Sequence, residues 1–217
     1  MDVLIVDDHP VLAESFAAML RGGGIDASGA DADNPGEVLA QAREHAPQVL
    51  LLDLDLGRLG DGRDLIAPLA DDGQFVVVLT AVTDPIVHAE CLEAGARGVH
   101  TKGTPLETLV EAVQDALEGD RPLVSEARRQ QLLSDLLAHR REQDGRLAPF
   151  ARLTPSEART LAALIDGRSA EEMSQDWYVA ITTVRSHIRS VLRKLDVGSQ
   201  LAAVAKARQA GWQPPTE

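Results

Sequence analysis

Val49-Leu50-Leu51-Leu52-Asp53 decides the fold: four consecutive aliphatic residues end on a carboxylate, which places a charge at the tip of a buried strand. Two other segments share this form. Leu4-Ile5-Val6 runs into Asp7-Asp8, and Phe75-Val76-Val77-Val78-Leu79 runs into Thr80. Runs without polar alternation suit parallel strands covered on both faces, and stretches with helical spacing lie between them. Strands are predicted near 2–6, 25–29, 48–52, 75–79 and 97–101, with helices near 10–21, 36–45, 62–70, 85–94 and 105–118. Five such alternations predict an α/β doubly wound, five-stranded parallel sheet. In such a sheet the carboxyl ends of the strands line one crevice, so Asp7, Asp8, Asp53 and Thr80 are expected to meet there, with Lys102 on the same rim.

The chain has 217 residues, enough for one large or two modest domains, and its net charge is −13. The charge is uneven. Residues 1–150 carry 12 Lys/Arg against 27 Asp/Glu, a net −15, while residues 151–217 carry 9 against 7, a net +2. An acidic part followed by a mildly basic one points to a charged partner for the tail. No apolar run reaches the length of a membrane-spanning helix, and no membrane partner is expected. No cationic apolar leader precedes the first strand, and the single Cys91 cannot form an internal disulfide; both point to a cytoplasmic protein.

The turn Gly119-Asp120-Arg121-Pro122 closes the alternating part. Ser125 can then cap a helix through about Arg141, with Leu132, Leu133, Leu136 and Leu137 at helical spacing. That stripe reads as packing against a neighbouring domain, with a dimer seam as the alternative. Gln143-Asp144-Gly145 and Pro149 read as linker. The expected division is therefore 1–120, a linker with an amphipathic helix over 121–149, and an all-α part over 150–217. In this last part four short helices are predicted, near 155–166, 169–177, 182–195 and 199–210, and Thr154-Pro155-Ser156-Glu157 has the form of a capping box. Short helices joined by tight turns suit a helix-turn-helix module. Arg185, Arg189 and Arg193 share one face of the third helix, with Lys194 beside them and no acid between Thr182 and Leu195.

These motifs, in this order, resemble those of two-component response regulators of the NarL/LuxR type. The receiver part rests on Leu4-Ile5-Val6-Asp7-Asp8-His9-Pro10, Leu51-Leu52-Asp53, Leu79-Thr80-Ala81, Gly95-Ala96-Arg97-Gly98 and Lys102. The four-helix, LuxR-type part rests on Leu153-Thr154-Pro155-Ser156-Glu157, Thr183-Val184-Arg185-Ser186-His187 and Arg193-Lys194-Leu195. The resemblance implies a flavodoxin-like receiver in which Asp53 accepts a phosphoryl group from a sensor histidine kinase. Mg²⁺ would be held directly by Asp8 and Asp53, mostly through water by Asp7, and by the backbone carbonyl of Asp55, while Thr80 and Lys102 would take phosphoryl oxygens. The helix near 182–195 would enter the major groove of double-stranded DNA. Arg185, Ser186 and Arg189 would lie nearest the bases, with Thr182, Thr183, Arg193 and Lys194 nearest the phosphates. Leu201, Val204 and Ala205 of the last helix would leave an apolar strip for a second copy, giving a homodimer.

The chain departs from the family pattern at three positions. Val99 stands where an aromatic switch residue is usual, and His100 cannot replace it because adjacent strand residues face opposite ways. Gly57 stands where Pro is usual. Ala180 stands where a capping Ser is common, so the third helix is expected to start later, capped by Thr182. Two other readings fit parts of the sequence. One is a regulator whose receiver binds a ligand or protein without phosphorylation. The other is a haloacid-dehalogenase-like phosphatase with Asp53 as nucleophile and Asp55 as general acid.

Overall fold

The computed structural model describes residues 1–119 and 123–215. Five parallel strands, β1 (Val3–Val6), β2 (Ala27–Gly29), β3 (Val49–Leu52), β4 (Val76–Thr80) and β5 (Gly98–Thr101), form one sheet in the order β2-β1-β3-β4-β5. Every residue of β1, β3 and β4 is buried, which accounts for the absence of polar alternation in their sequences.

Strand periodicity divides these aliphatics between two cores. Leu4, Val6, Leu50, Leu52, Val76 and Val78 pack with helices α2 (Pro35–His45), α3 (Arg63–Asp71) and α4 (Pro85–Glu93). Val3, Ile5, Val49, Leu51 and Val77 pack with α1 (Pro10–Gly22) and α5 (Leu106–Glu118) on the other face. The strand order reverses between β1 and β3, and that switch point places Asp7, Asp8 and Asp53 side by side at the carboxyl edge. Gly119 ends α5 in the left-handed conformation; the rest of the turn expected at 119–122 lies outside the described residues.

The sixth helix, α6, spans Glu126–Leu147. Ser125 accepts a hydrogen bond from the Arg128 amide at its start, as expected, but the helix runs beyond Arg141 through Gln143-Asp144-Gly145. Side-chain pairs one turn apart carry it on: Gln143 with His139 at 2.9 Å and Arg146 with Glu142 at 2.6 Å. Each pair is worth a few tenths of a kcal/mol, so together they offset part of the roughly 1 kcal/mol that an interior glycine costs. Of the leucine stripe, Leu132 and Leu136 are buried, whereas Leu137 is exposed. The chain forms two compact units, 1–137 and 138–217, and the division falls inside α6.

In the second unit, α7 (Pro155–Ile165), α8 (Ala170–Asp176), α9 (Ile181–Leu195) and α10 (Gln200–Gln209) enclose two small cores. Phe150, Leu161, Val191 and Leu195 form part of one, where Phe150 stacks on Trp212 at 5.6 Å. Leu164, Met173, Val184 and Ile188 form the other. Capping boxes start α7, at Thr154 and Glu157, and α8, at Ser169 and Glu172.

Gly62 makes the turn after β3 possible. A β-carbon there would overlap the Asp53 carbonyl oxygen, a backbone atom that cannot step aside. Gly62→Ala is therefore expected to destabilise the first unit by about 2 kcal/mol, read as a lower midpoint in urea unfolding with an unchanged slope.

Candidate functional site

Asp53 is 4 % exposed and sits directly after β3. One of its carboxylate oxygens accepts the Leu54 amide at 2.7 Å, and the other accepts the Lys102 ammonium at 2.7 Å. The same ammonium donates to Asp7 at 2.8 Å, so one cation joins acids from two adjacent strand ends. Burial works against the charged ammonium, but the hydrogen bonds and charges of Asp53 and Asp7 outweigh it and raise the Lys102 pKa above its ordinary value.

Asp8 lies beside this pair. Its Oδ1 contacts His9 Nδ1 at 2.5 Å but otherwise is buried without a hydrogen-bond partner. Its other oxygen lies over Gly57, where a β-carbon would approach it to 2.8 Å; Gly57 is also left-handed, with φ of +54°. The departure from the usual Pro thus leaves room for the Asp8 carboxylate. A cavity of about 330 Å³ opens next to it, with Asp7, Asp8, Asp31 and Asp33 in its lining. Oxygen and nitrogen atoms of Asp7, Asp8 and His9 lie within 4.8 Å of one another. The reading of Asp7-Asp8 in the sequence did not single out His9, whose position next to the acid pair was the available signal.

Thr80 is buried at the end of β4, and its carbonyl accepts the Lys102 amide at 2.7 Å. Its hydroxyl is not joined to the acids; it accepts the Val82 amide at 3.1 Å. Asp55 is exposed, and its carboxylate accepts the Gly57 amide at 3.4 Å. The structure thus joins Asp7, Asp53 and Lys102 directly, sets Asp8 beside them, and points the Thr80 hydroxyl's acceptor side at the following loop. Val99 is opposite Val78 and His100 is opposite Leu79, so the two side chains leave the sheet on opposite faces. His100 Nε2 is buried without a partner, and burial lowers the imidazole pKa.

The exposed side of α9 carries Thr182, Thr183, Arg185, Ser186, Arg189 and Arg193, while Val184, Ile188, Val191 and Leu195 are buried. Arg185 pairs with Glu171 of α8 at 2.9 Å across the surface. Two expectations for this helix change. It begins at Ile181, with Ala180 extended at the N-cap and no side-chain cap bond, instead of starting later under Thr182. Lys194, expected near DNA phosphates, turns inward: its ammonium donates to Glu157 at 2.6 Å and to the Arg152 carbonyl at 2.8 Å.

The comparisons with known proteins follow the same division. A response regulator receiver domain matches residues 3–114, and the luxR family of bacterial regulatory proteins matches residues 151–207. The chain belongs to the response regulators. This response regulator is 30 % identical to the nitrate/nitrite response regulator protein NarP of Escherichia coli, over 93 % of its own length and 91 % of the relative's. A nitrate/nitrite response regulator homologue of Haemophilus influenzae is 28 % identical over 94 % of both chains. A solved LuxR-family response regulator from Aurantimonas is 26 % identical, with a TM-score of 0.52, covering 63 % of this chain and 97 % of that one. The regulator therefore joins a receiver to a LuxR-type DNA-binding domain and acts in two-component control of transcription, not as an enzyme. Among the described residues, no helix is long and apolar enough to cross a membrane.

Glu157 gives the DNA-binding unit a measurable pH response. Burial would raise its pKa, but hydrogen bonds from Lys194, Ser190 and Thr154 prevail and bring it from 4.5 down to about 2. A depressed carboxyl contributes stability that is complete above 4.5 and is lost as pH falls through about 2. Glu157→Gln should cost about 2 kcal/mol near neutral pH. In thermal unfolding, the gap between wild type and variant should then narrow steadily below pH 4.5.

Proposed function

We propose that Asp53 is the phosphoacceptor of a cytoplasmic response regulator that receives its phosphoryl group from a sensor histidine kinase. The observation that carries this reading is the Lys102 ammonium shared between buried Asp53 and Asp7. An Asp53 carboxylate oxygen attacks phosphorus, the bond from phosphorus to the donor nitrogen breaks, and an acyl phosphate forms while the imidazole leaves. Lys102 already neutralises the attacking carboxylate and is placed to follow the charge onto a phosphoryl oxygen. Thr80 keeps its hydroxyl proton free to donate, because its oxygen accepts from Val82.

Three carboxylates gather beside one ammonium at this edge, and the buried Asp8 oxygen, close only to the His9 ring, is the kind of donor a hard cation takes. Asp7, Asp8 and Asp53, with the Asp55 carbonyl, would hold Mg²⁺. When bound, Mg²⁺ supplies compensating positive charge for the incoming phosphoryl group.

The DNA-binding reading places α9 in the major groove of double-stranded DNA. Arg185, Ser186 and Arg189 read or approach bases, and Thr182, Thr183 and Arg193 hold the backbone. Lys194 serves chiefly as Glu157's partner, so it contributes to the frame of this surface more than to contact. On α10, Leu201 is 80 % exposed and Ala205 is exposed, an apolar strip that supports pairing of two copies on two half-sites. The functional parts are a receiver over 1–120, a connecting segment over 121–149 and a DNA-binding domain over 150–217.

With a small phosphodonor and Mg²⁺, wild type should gain the mass of one phosphoryl group, and Asp53→Asn should gain none. Equal gains in both proteins would remove Asp53 from the role. Arg189→Ala should weaken operator binding by about tenfold or more and leave the mass gain untouched, as read by titration on labelled duplex and by mass spectrometry.

A further inference from the structure

Of the three arginines on the exposed face of α9, one already has a partner of opposite charge. Arg185 Nη2 lies 2.9 Å from Glu171 Oε1, and both side chains are more than half exposed. Arg189 donates instead to the Arg185 carbonyl and Arg193 to the Ser190 hydroxyl, each at 3.4 Å. Among the described residues, Arg185 alone of the three is held by a carboxylate.

Glu171 is not needed to start α8. The capping box there uses Ser169 and the neighbouring Glu172, whose carboxylate accepts the Ser169 amide at 2.7 Å. Glu171 reaches across to α9, so an acid lies at the edge of a face of arginine and hydroxyl groups. Residues 151–217 carry a net charge of only +2, and each cation tied up by an acid weakens the attraction of the face for any duplex.

An exposed ion pair is weak and exchanges readily. What Arg185 exchanges it for depends on the sequence beneath. A guanine offers two acceptors in fixed geometry, O6 and N7, which the single contact with Glu171 does not match. A phosphate offers only another anionic oxygen of the kind that Arg185 already has. On DNA without a guanine in reach, Arg185 therefore stays with Glu171 and adds no phosphate contact.

We propose that Glu171 is a specificity-determining residue: it withholds Arg185 from the phosphates of arbitrary DNA and yields it to a guanine in the operator. The inference rests on α9 being the DNA-reading helix. Glu171 is a positioning residue, because it acts through Arg185.

The test uses the full chain, a duplex enriched from a random-sequence pool by the wild type, and an alternating A·T duplex that contains no guanine. Affinity for each is measured over a range of salt concentrations. Glu171→Gln frees Arg185, so at low salt binding to the A·T duplex should tighten about tenfold, and its log–log salt slope should steepen by about one per copy bound. Binding to the enriched duplex should change by about threefold or less, so the ratio between the two affinities falls. In an Arg185→Gln background, the same change at Glu171 should leave the slope on the A·T duplex where it was. Equal tightening on both duplexes, or extra slope that persists without Arg185, makes Glu171 a general negative charge and overturns the inference. Unchanged or weaker binding of Glu171→Gln to the A·T duplex also overturns it. If Arg185→Gln and Arg189→Ala both bind the enriched duplex as wild type does, or no sequence is enriched, the reading of α9 itself fails and this inference falls with it.

Discussion

The Lys102 ammonium holds together the carboxyl edge of the sheet. It lies between two carboxylates that the strand order forces together, Asp7 after β1 and Asp53 after β3, and without it their charges would repel across a buried edge. Lys102 reaches that position from β5, two strands away from β3, and its own amide bonds to the Thr80 carbonyl. Residues 7, 53, 80 and 102, distant in sequence, are thus tied by one side chain and one backbone bond. The arrangement is poised because it leaves polar capacity unused. Asp8 keeps a buried oxygen whose one close polar neighbour is the His9 ring, and Thr80 keeps a hydroxyl proton to give.

The two compact units use polar contacts differently. The first gathers its buried charges at one edge of a sheet whose interior is aliphatic. In the second, Glu157 fastens α7 to α9 through Ser190 and Lys194 and also completes the capping box that starts α7. One carboxylate thereby fixes both where a helix begins and how the exposed face of α9 is set against its neighbour. Of the arginines on that face, Arg193 touches this frame through the Ser190 hydroxyl at 3.4 Å and Arg185 pairs with Glu171, and all three side chains stay exposed.

The sheet could be read from sequence because strands buried on both faces need uninterrupted aliphatic runs, and few other structures do. The acid cluster was equally legible, since each member follows directly on such a run. Contacts that depend on a distant partner were not. A lysine among arginines on a basic helix gives no sign that Glu157, 37 positions earlier, will draw it inward. Leu132 and Leu136 announce a buried stripe without naming α4 as its partner, and Gly145 argues for a helix end although α6 continues through it to Leu147. Ala180 is the opposite case. A missing cap was visible, but its backbone still adopts the extended N-cap conformation, so the start of α9 stays in place.

Trp177, Trp212 and Tyr178, the chain's only tryptophans and tyrosine, all fall in the second unit; Trp177 lies under the Arg159 guanidinium, and Trp212 is stacked on Phe150. The receiver relies on aliphatic side chains and holds only Phe16 and Phe75 as aromatics. Intrinsic emission from this protein is therefore a local optical probe. It reports on the helical DNA-binding half while the receiver half stays dark, so that half can be followed by itself without attaching a dye.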